Sequence, residues 1–175
     1  MALREILTEP NEILRQKSLN VEKVDGDLQK LMDDMLETMY AAPGIGLAAI
    51  QVGVHKRVIV LDLARKDEPK NPMYFVNPEI IKKSENNSIY EEGCLSVPGQ
   101  FAEIVRPDKC HIKYLDYFGQ PKELIAEDML ATCIQHEIDH LEGILFIDYL
   151  SKLKKSMIIK KLSKQKKENP NRIVV

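Results

Sequence analysis

The sequence Gln135-His136-Glu137-Ile138-Asp139-His140 constrains the fold of this chain more than any other feature. Residues four apart lie on the same face of an α-helix, so His136 and His140 can bind a single metal ion with Glu137 beside it. The spacing therefore predicts a helix that carries a metal-activated water and a general base. Two surface histidines on an amphipathic helix are the alternative, because the motif by itself does not exclude them.

The residues around this motif predict a buried helix over 126–142 that ends at Gly143. One side of this helix is apolar and is expected to face the core; its residues are Leu130, Ile134, Ile138 and Leu141. Met129 and Cys133 share the face of the two histidines, since they precede them at helical spacing. The predicted metal site therefore has an apolar flank.

The rest of the chain alternates between helical and extended patterns. Apolar residues at three- and four-residue steps predict a helix over 28–40, and β-branched and aromatic runs over 52–117 predict antiparallel strands. A last helix is expected over 149–164, with Leu150, Leu153, Met157, Ile158 and Leu162 facing inward. This order of elements indicates the α+β fold class.

Chain length and composition predict one domain. A chain of 175 residues that is 44% hydrophobic can bury one full core and is too short for two ordinary domains. We expect a single catalytic domain over 1–164, which includes the C-terminal helix, and a basic, flexible tail over 165–175. No apolar run reaches the roughly 18 residues of a membrane span, and the N-terminus lacks the apolar core of a signal peptide. These absences predict a cytoplasmic protein with no membrane partner.

Charge is unevenly distributed along the chain. Residues 151–175 carry nine Lys/Arg against the single acid Glu168, whereas the whole chain has a net charge of −2. Such a basic segment is suited to bind a phosphate backbone. A lysine-rich helix face in contact with solvent explains the same charge equally well.

A catalytic zinc-type site needs a third protein ligand. The metzincin pattern H-E-x-x-H-x-x-G-x-x-H is excluded because Phe146 occupies the third histidine position. Thermolysin-like enzymes use a later glutamate, but the only acids after Gly143 are Asp148 and Glu168, and neither is a convincing ligand. The best candidate lies upstream at Cys94, which follows a glycine in the run E-G-C-L-S and would complete a Cys-His-His set.

Three segments taken together point to one family. They are Gly44-Ile45-Gly46-Leu47-Ala48-Ala49-Ile50-Gln51, Glu92-Gly93-Cys94-Leu95-Ser96 and the H-E-x-x-H segment over 135–140. In this order and spacing they closely resemble the three signature motifs of peptide deformylase. The likeness extends over most of the chain, and the C-terminal extension is similar to that of the bacterial type with a helical tail. The resemblance implies small antiparallel β-sheets packed around a central H-E-x-x-H helix, followed by a C-terminal helix.

The resemblance also implies an activity, namely removal of the formyl group from the N-terminal formyl-methionine of nascent polypeptides. The metal ligands that it implies are Cys94, His136 and His140. The catalytic residues that it implies are Glu137 as acid/base, with the Gln51 amide and the Leu95 backbone N–H holding the oxyanion. The substrate contacts that it implies are Ile45, Gly46, Met129 and Cys133, although core packing is the alternative for all of these except the glycine.

The implied cofactor is one divalent metal ion. We expect Fe²⁺, and Zn²⁺, Ni²⁺ or Co²⁺ can occupy the same ligands. The implied partners are N-formylmethionyl nascent peptides and the ribosome near its exit tunnel, contacted through the basic C-terminal helix. One position departs from the family, because several members carry arginine where Phe101 aligns, and this leaves the substrate contacts at that rim open.

Two other functions compete with this interpretation. A metallopeptidase that cleaves internal peptide bonds shares the H-E-x-x-H motif. It also needs a third metal ligand, and this sequence has none at the positions where metallopeptidases usually carry it. A ribosome-associated binding protein with a structural metal requires a fourth ligand, and the sequence offers no fourth candidate. The substitution Glu137→Gln distinguishes an enzyme from a structural protein. An enzyme would lose activity and keep its metal, whereas a structural protein would be unaffected.

Overall fold

The computed structural model of the protein describes residues 2–170, which form three α-helices and seven β-strands. The helices are α1 (Gly26–Ala41), α2 (Asp128–Leu141) and α3 (Lys152–Glu168). The strands are β1 (Gly46–Ala48), β2 (Val58–Leu61), β3 (Met73–Lys83), β4 (Asn87–Cys94), β5 (Val97–Pro107), β6 (Lys109–Leu115) and β7 (Pro121–Glu127). Short 3-10 helices lie at Glu12–Arg15, Ala49–Val52 and Phe146–Tyr149. Within residues 2–170, no helix is both long enough and apolar enough to cross a membrane.

The first α-helix begins where the sequence offers a cap. The Asp25 carboxylate accepts a hydrogen bond of 3.0 Å from the backbone N–H of Leu28, which satisfies one of the free amides of the first turn. The apolar stripe of α1 is buried against β1 and β2. The helix predicted over 28–40 is therefore confirmed, and it extends slightly at both ends.

The strands form two antiparallel sheets. Five strands lie in the order β1-β2-β3-β6-β7, while β4 and β5 form a separate two-stranded ribbon. All of these strand pairs are antiparallel, which confirms the expected α+β class. The ribbon ends at the pair Cys94 and Val97, and both of its strands contact α2.

The sequence prediction was wrong at the junction between β7 and α2. Strands were expected only over 52–117, and Ala126 and Glu127 were assigned to the helix. Both residues instead pair with β6, together with the other five residues of β7. Asp128 then adopts a φ of 52°, and this left-handed conformation separates the strand from the helix.

The second α-helix, α2, lies at the centre of the fold. Most of its residues are buried, and it contacts the five-stranded sheet as well as the β4–β5 ribbon. The chain leaves the helix at Gly143, which has a φ of 74°. A Cβ atom at this position would lie 2.3 Å from the backbone oxygen of Arg15. The predicted stop at Gly143 is confirmed, because both the conformation and the available space require glycine.

The C-terminal helix exists, but its predicted limits and inward face need correction. It begins at Lys152, where the Ser151 hydroxyl accepts a hydrogen bond from the Lys154 N–H, and it continues to Glu168 instead of ending at 164. Leu150, Ile158 and Leu162 pack on a small cluster next to β5, as predicted. Leu153 and Met157 are 71% and 61% exposed, because this cluster covers only a narrow strip of the helix. Residues 171–175 of the predicted tail lie outside the described residues.

Candidate active site

The structure brings the three predicted metal ligands together. Cys94 ends β4, whereas His136 and His140 lie one turn apart on α2. Their ligand atoms all lie within 4.8 Å of one another, and the Cys94 Sγ is 3.3 Å from the His140 Nε2. A shift of register between Gly93 and Cys94 turns the end of β4 towards the helix. The ribbon thus supplies the thiol and the helix supplies both imidazoles.

This ligand set fits a single tetrahedral metal ion. A sulfur at about 2.3 Å and a nitrogen at about 2.1 Å from such an ion lie about 3.6 Å apart, which is close to the observed separation. The His136 Nδ1–H donates a hydrogen bond of 2.8 Å to the Glu92 carboxylate, which leaves Nε2 available as the ligand atom. Burial lowers the pKa of His140 well below its usual range, so this imidazole is neutral and able to bind a metal.

A buried ion-pair network holds His136 in this orientation. Arg106 donates two hydrogen bonds, of 2.7 and 2.9 Å, to the Glu92 carboxylate. A third, of 2.8 Å, goes to Asp139, which also accepts a hydrogen bond of 2.7 Å from the Tyr149 hydroxyl. Burial raises the pKa of Glu92, but the hydrogen bonds from His136 and Arg106 more than offset this effect. The net pKa is lower than that of a free glutamate, so the carboxylate stays charged. The network fixes the ring that carries one of the ligand atoms.

Glu137 lies beside the ligands with one oxygen free. Its side chain is buried, and Oε2 has no hydrogen-bond partner among the described residues. A Cβ atom at Gly46 would lie 2.5 Å from Oε1, so the glycine makes room for the carboxylate. Burial raises the pKa of Glu137 to about 7. A carboxyl group with such a pKa both accepts and returns protons near neutral pH.

The Gln51 amide is held in one orientation at the same site. Its Oε1 accepts a hydrogen bond of 2.9 Å from the Ala48 N–H. The amide nitrogen consequently points to the site, where it lies 3.0 Å from the Ser96 Oγ and 3.5 Å from the Cys94 Sγ. The hydrogen bond between Gln51 and Ala48 forms because the 3-10 helix Ala49–Val52 directly follows β1 and turns the chain at its end.

A cavity of about 440 Å³ opens onto these groups. It is lined by all of the predicted substrate contacts, namely Ile45, Gly46, Met129 and Cys133. Ile45 and Met129 are 49% and 42% exposed, so core packing does not account for them. Cys133 is buried in the core next to the cavity, and burial raises the pKa of its thiol to about 12. A mostly apolar cavity of this volume lies within the usual size range of sites that bind small ligands.

Sequence reasoning missed the residues that support the ligands. Glu92 belongs to the E-G-C-L-S segment and could have been recognised from the sequence, because metal-bound histidines commonly donate a hydrogen bond to a carboxylate. Arg106 and Tyr149 give no local signal, because neither belongs to one of the three motifs. Cys110 belongs to none of the three motifs and is buried in the core.

These features define a class of protein, a metal-dependent hydrolase built on an H-E-x-x-H helix with a cysteine as third ligand. The comparisons with known proteins narrow this class. A family model described as Polypeptide deformylase matches residues 3–156. The chain belongs to the peptide deformylase family.

Individual relatives match over nearly the full length. The chain is 65% identical to the peptide deformylase of Pelagibacter ubique over 175 residues, which is 100% of both chains. The crystal structure of peptide deformylase from Ehrlichia chaffeensis superimposes with a TM-score of 0.92 at 44% identity, covering 96% of this chain and 99% of that one. The same protein in complex with actinonin gives a TM-score of 0.90 at 46% identity, covering 94% and 98% of the two chains. The metallopeptidase and binding-protein alternatives find no support among these relatives.

Proposed function

We propose that this protein hydrolyses the formyl group from the N-terminal formyl-methionine of nascent polypeptides and releases formate. The observation that carries this proposal is the placement of Glu137 and the Cys94-His136-His140 cluster at one cavity of about 440 Å³. Relatives that share the whole length of the chain are named peptide deformylase. The cytoplasm, where nascent chains emerge, is the compartment that this substrate requires.

Cys94, His136 and His140 would hold one divalent metal ion. When bound, such an ion acts as a Lewis acid and lowers the pKa of water from 15.7 towards roughly 7. Glu137 accepts the proton of the attacking water through its unpaired Oε2. The same carboxyl group then returns this proton to the leaving nitrogen, so one residue serves both steps.

Gln51 and the Leu95 backbone N–H stabilise the negative charge that develops on the formyl oxygen. The Gln51 amide is already aimed at the ligands by its hydrogen bond from Ala48. Replacement of Gln51 by alanine is expected to reduce kcat about 10²- to 10³-fold, because donors of this kind act mainly on the transition state. Steady-state kinetics measure this loss, and a similar kcat in wild type and variant would contradict the role of Gln51.

The cavity receives the methionine side chain. Ile45, Met129 and Cys133 provide apolar contacts for its thioether stem, and the sulfur of Met129 adapts to its shape. Strand β1 is the end strand of the five-stranded sheet, so the substrate backbone approaches its open edge at Gly46.

We infer Fe²⁺ as the native metal, with Zn²⁺, Ni²⁺ and Co²⁺ as ions that fit the same ligands. One thiolate and two imidazoles form a softer set than three histidines and suit these ions. If iron is native, protein purified without oxygen will be more active than protein purified in air, because oxidation of the iron or of Cys94 inactivates the site. Equal activity of the two preparations would argue against iron.

The test of the main proposal is formate release from formyl-Met-Ala-Ser. Wild type is expected to release formate, whereas Glu137→Gln is expected to retain the metal and lose activity. Glu22→Gln changes an exposed carboxylate elsewhere and serves as the control. A folded, metal-loaded wild type that releases no formate would overturn the proposal.

The basic C-terminal helix is proposed to contact the ribosome. Its exposed face carries Leu153 and Met157 among many lysines, a surface suited to ribosomal RNA phosphates. Lys160→Glu/Lys161→Glu reverses two exposed charges without touching the buried strip, and Lys66→Glu on the body is the matched control. We expect only the double variant to lose co-sedimentation with ribosomes at low salt. Unchanged co-sedimentation of the double variant would refute this contact.

A further inference from the structure

A second cavity, of about 530 Å³, lies at one end of the five-stranded sheet, between the start of β3 and the turn that joins β6 to β7. Four aromatic rings and two carboxylates line it, and they belong to Tyr74, Tyr114, Tyr117, Phe118, Asp33 and Asp116. We call this cavity the aromatic groove. None of its residues lines the active-site cavity, so the aromatic groove is a separate feature of the surface.

Three rings of the aromatic groove are inclined steeply to one another. The ring centroids of Tyr74 and Tyr117 are 4.9 Å apart with an angle of 59° between the ring planes. Those of Tyr117 and Phe118 are 5.2 Å apart with an angle of 80°. The Tyr117 hydroxyl donates a hydrogen bond of 3.1 Å to the Asp33 carboxylate, which brings a negative charge to these rings. Rings at such angles can surround a bound group from more than one side, as in the aromatic cages that recognise methylated ammonium groups.

The turn after β6 holds its phenyl ring at the surface. Phe118 is 72% exposed, yet its backbone N–H donates a hydrogen bond of 2.9 Å to the Asp116 Oδ1. The same oxygen accepts a hydrogen bond of 2.9 Å from the Gln120 N–H, and the Gly119 N–H donates to the Asp116 backbone oxygen at 3.0 Å. These bonds fix the backbone that carries the ring. A ring already in position loses little conformational freedom when a ligand binds.

The charges and rings of the aromatic groove have no cation of their own. Neither Asp33 nor Asp116 forms an ion pair within residues 2–170. In the same part of the chain, the cations that lie over aromatic rings do so elsewhere, for example Lys70, whose Nζ is 4.1 Å from the centroid of the Tyr40 ring. The face of an aromatic ring is negative and attracts cations. The aromatic groove therefore suits a cation that comes from outside the chain.

The donor set favours an organic cation over a metal ion. Hard metal ions require about six to eight oxygen ligands, whereas this groove is walled mainly by rings. Its carboxylate oxygens are also partly used, since the Asp116 Oδ1 accepts two amide hydrogen bonds and the Asp33 Oδ2 accepts one from Tyr117. We propose that the aromatic groove binds a small organic cation that carries a quaternary ammonium group. This proposal goes beyond the proposed deformylase function and does not depend on it.

The test is a titration of isotope-labelled, zinc-loaded protein followed by amide NMR shifts. The probes are choline and dimethylbutanol, in which a carbon atom replaces the ammonium nitrogen. Choline is expected to shift the amides of residues 116–120 and to bind about 10-fold more tightly than dimethylbutanol, because each ring adds about a 2- to 5-fold preference for the cation. Potassium chloride at the same concentration should not shift these amides. Equal affinity for the two probes, or equal shifts with potassium chloride, would overturn the proposal.

Two variants separate the contribution of the ring from that of the charge. Phe118→Leu keeps an exposed apolar side chain without the ring, and it should weaken choline binding about 2- to 5-fold and leave dimethylbutanol binding unchanged. Asp116→Asn removes the charge while its side-chain oxygen still accepts the amide hydrogen bonds of the turn, and it should weaken choline binding about 2- to 5-fold. Phe101→Leu and Asp67→Asn make the same changes at exposed positions outside the groove and should keep wild-type affinity. Wild-type affinity for choline in both groove variants would overturn the proposal.

Discussion

Substitution of Arg106 by methionine tests the energetic role of the buried network. Arg106 is 5% exposed and gives two hydrogen bonds to Glu92 and one to Asp139. Methionine keeps the unbranched stem but removes the guanidinium group, so Glu92 remains buried without its cation. Removal of one partner from a buried ion pair costs about 3–5 kcal/mol. For a chain of this size, each kcal/mol lowers Tm by about 2–4 °C, so we expect a decrease of about 6–20 °C.

The assay is thermal unfolding with a chelator present, so that metal binding does not contribute to the measured stability. Lys109→Met is the matched control, because Lys109 and Glu127 form an ion pair at the surface with both side chains more than half exposed. The control is expected to leave Tm nearly unchanged. A double-mutant cycle with Glu92→Gln should give a coupling of about 1–3 kcal/mol. If Arg106→Met lowers Tm no more than Lys109→Met, the reasoning about burial is wrong.

Two further predictions concern thiols and a glycine. After metal removal, only Cys94 should react with an alkylating reagent at pH 8, because burial raises the pKa of Cys110 to about 11 and that of Cys133 to about 12. Mass spectrometry counts the modified thiols, and rapid labelling of two or three would contradict the prediction. Gly143→Ala should lower the free energy of unfolding by about 2 kcal/mol or more, since it forces a left-handed residue against a backbone oxygen. Gly26→Ala, which has open space at its Cβ, is the control, and equal denaturant midpoints for the two variants would refute this argument.

The elements that the sequence predicted well are those with a local signal. Helix α1 follows from apolar periodicity and from its capping residue Asp25, and the H-E-x-x-H helix follows from periodicity and from the glycine at 143 that ends it. Strand β7 escaped prediction because Pro121–Glu127 is rich in charged residues and lacks a clear alternation. Its conformation comes from pairing with β6, which lies in a separate part of the chain.

The inward face of α3 shows a similar limit. Apolar residues at helical spacing predicted five buried positions, but Leu153 and Met157 face solvent. Periodicity identifies the apolar face of a helix, but it does not show how much of that face the rest of the protein covers. The remainder of the domain offers α3 only a small apolar cluster next to β5.

The sequence alone determined the chemistry of this protein, and the tertiary structure decided how that chemistry is held. His136, Glu137 and His140 are placed by helix geometry, which needs nothing beyond the chain between them. Cys94 joins them only because the β4–β5 ribbon packs on α2. The contact between Arg106 and Asp139 joins residues 33 apart in sequence. No local pattern encodes such a contact, because its geometry depends on how separate elements pack.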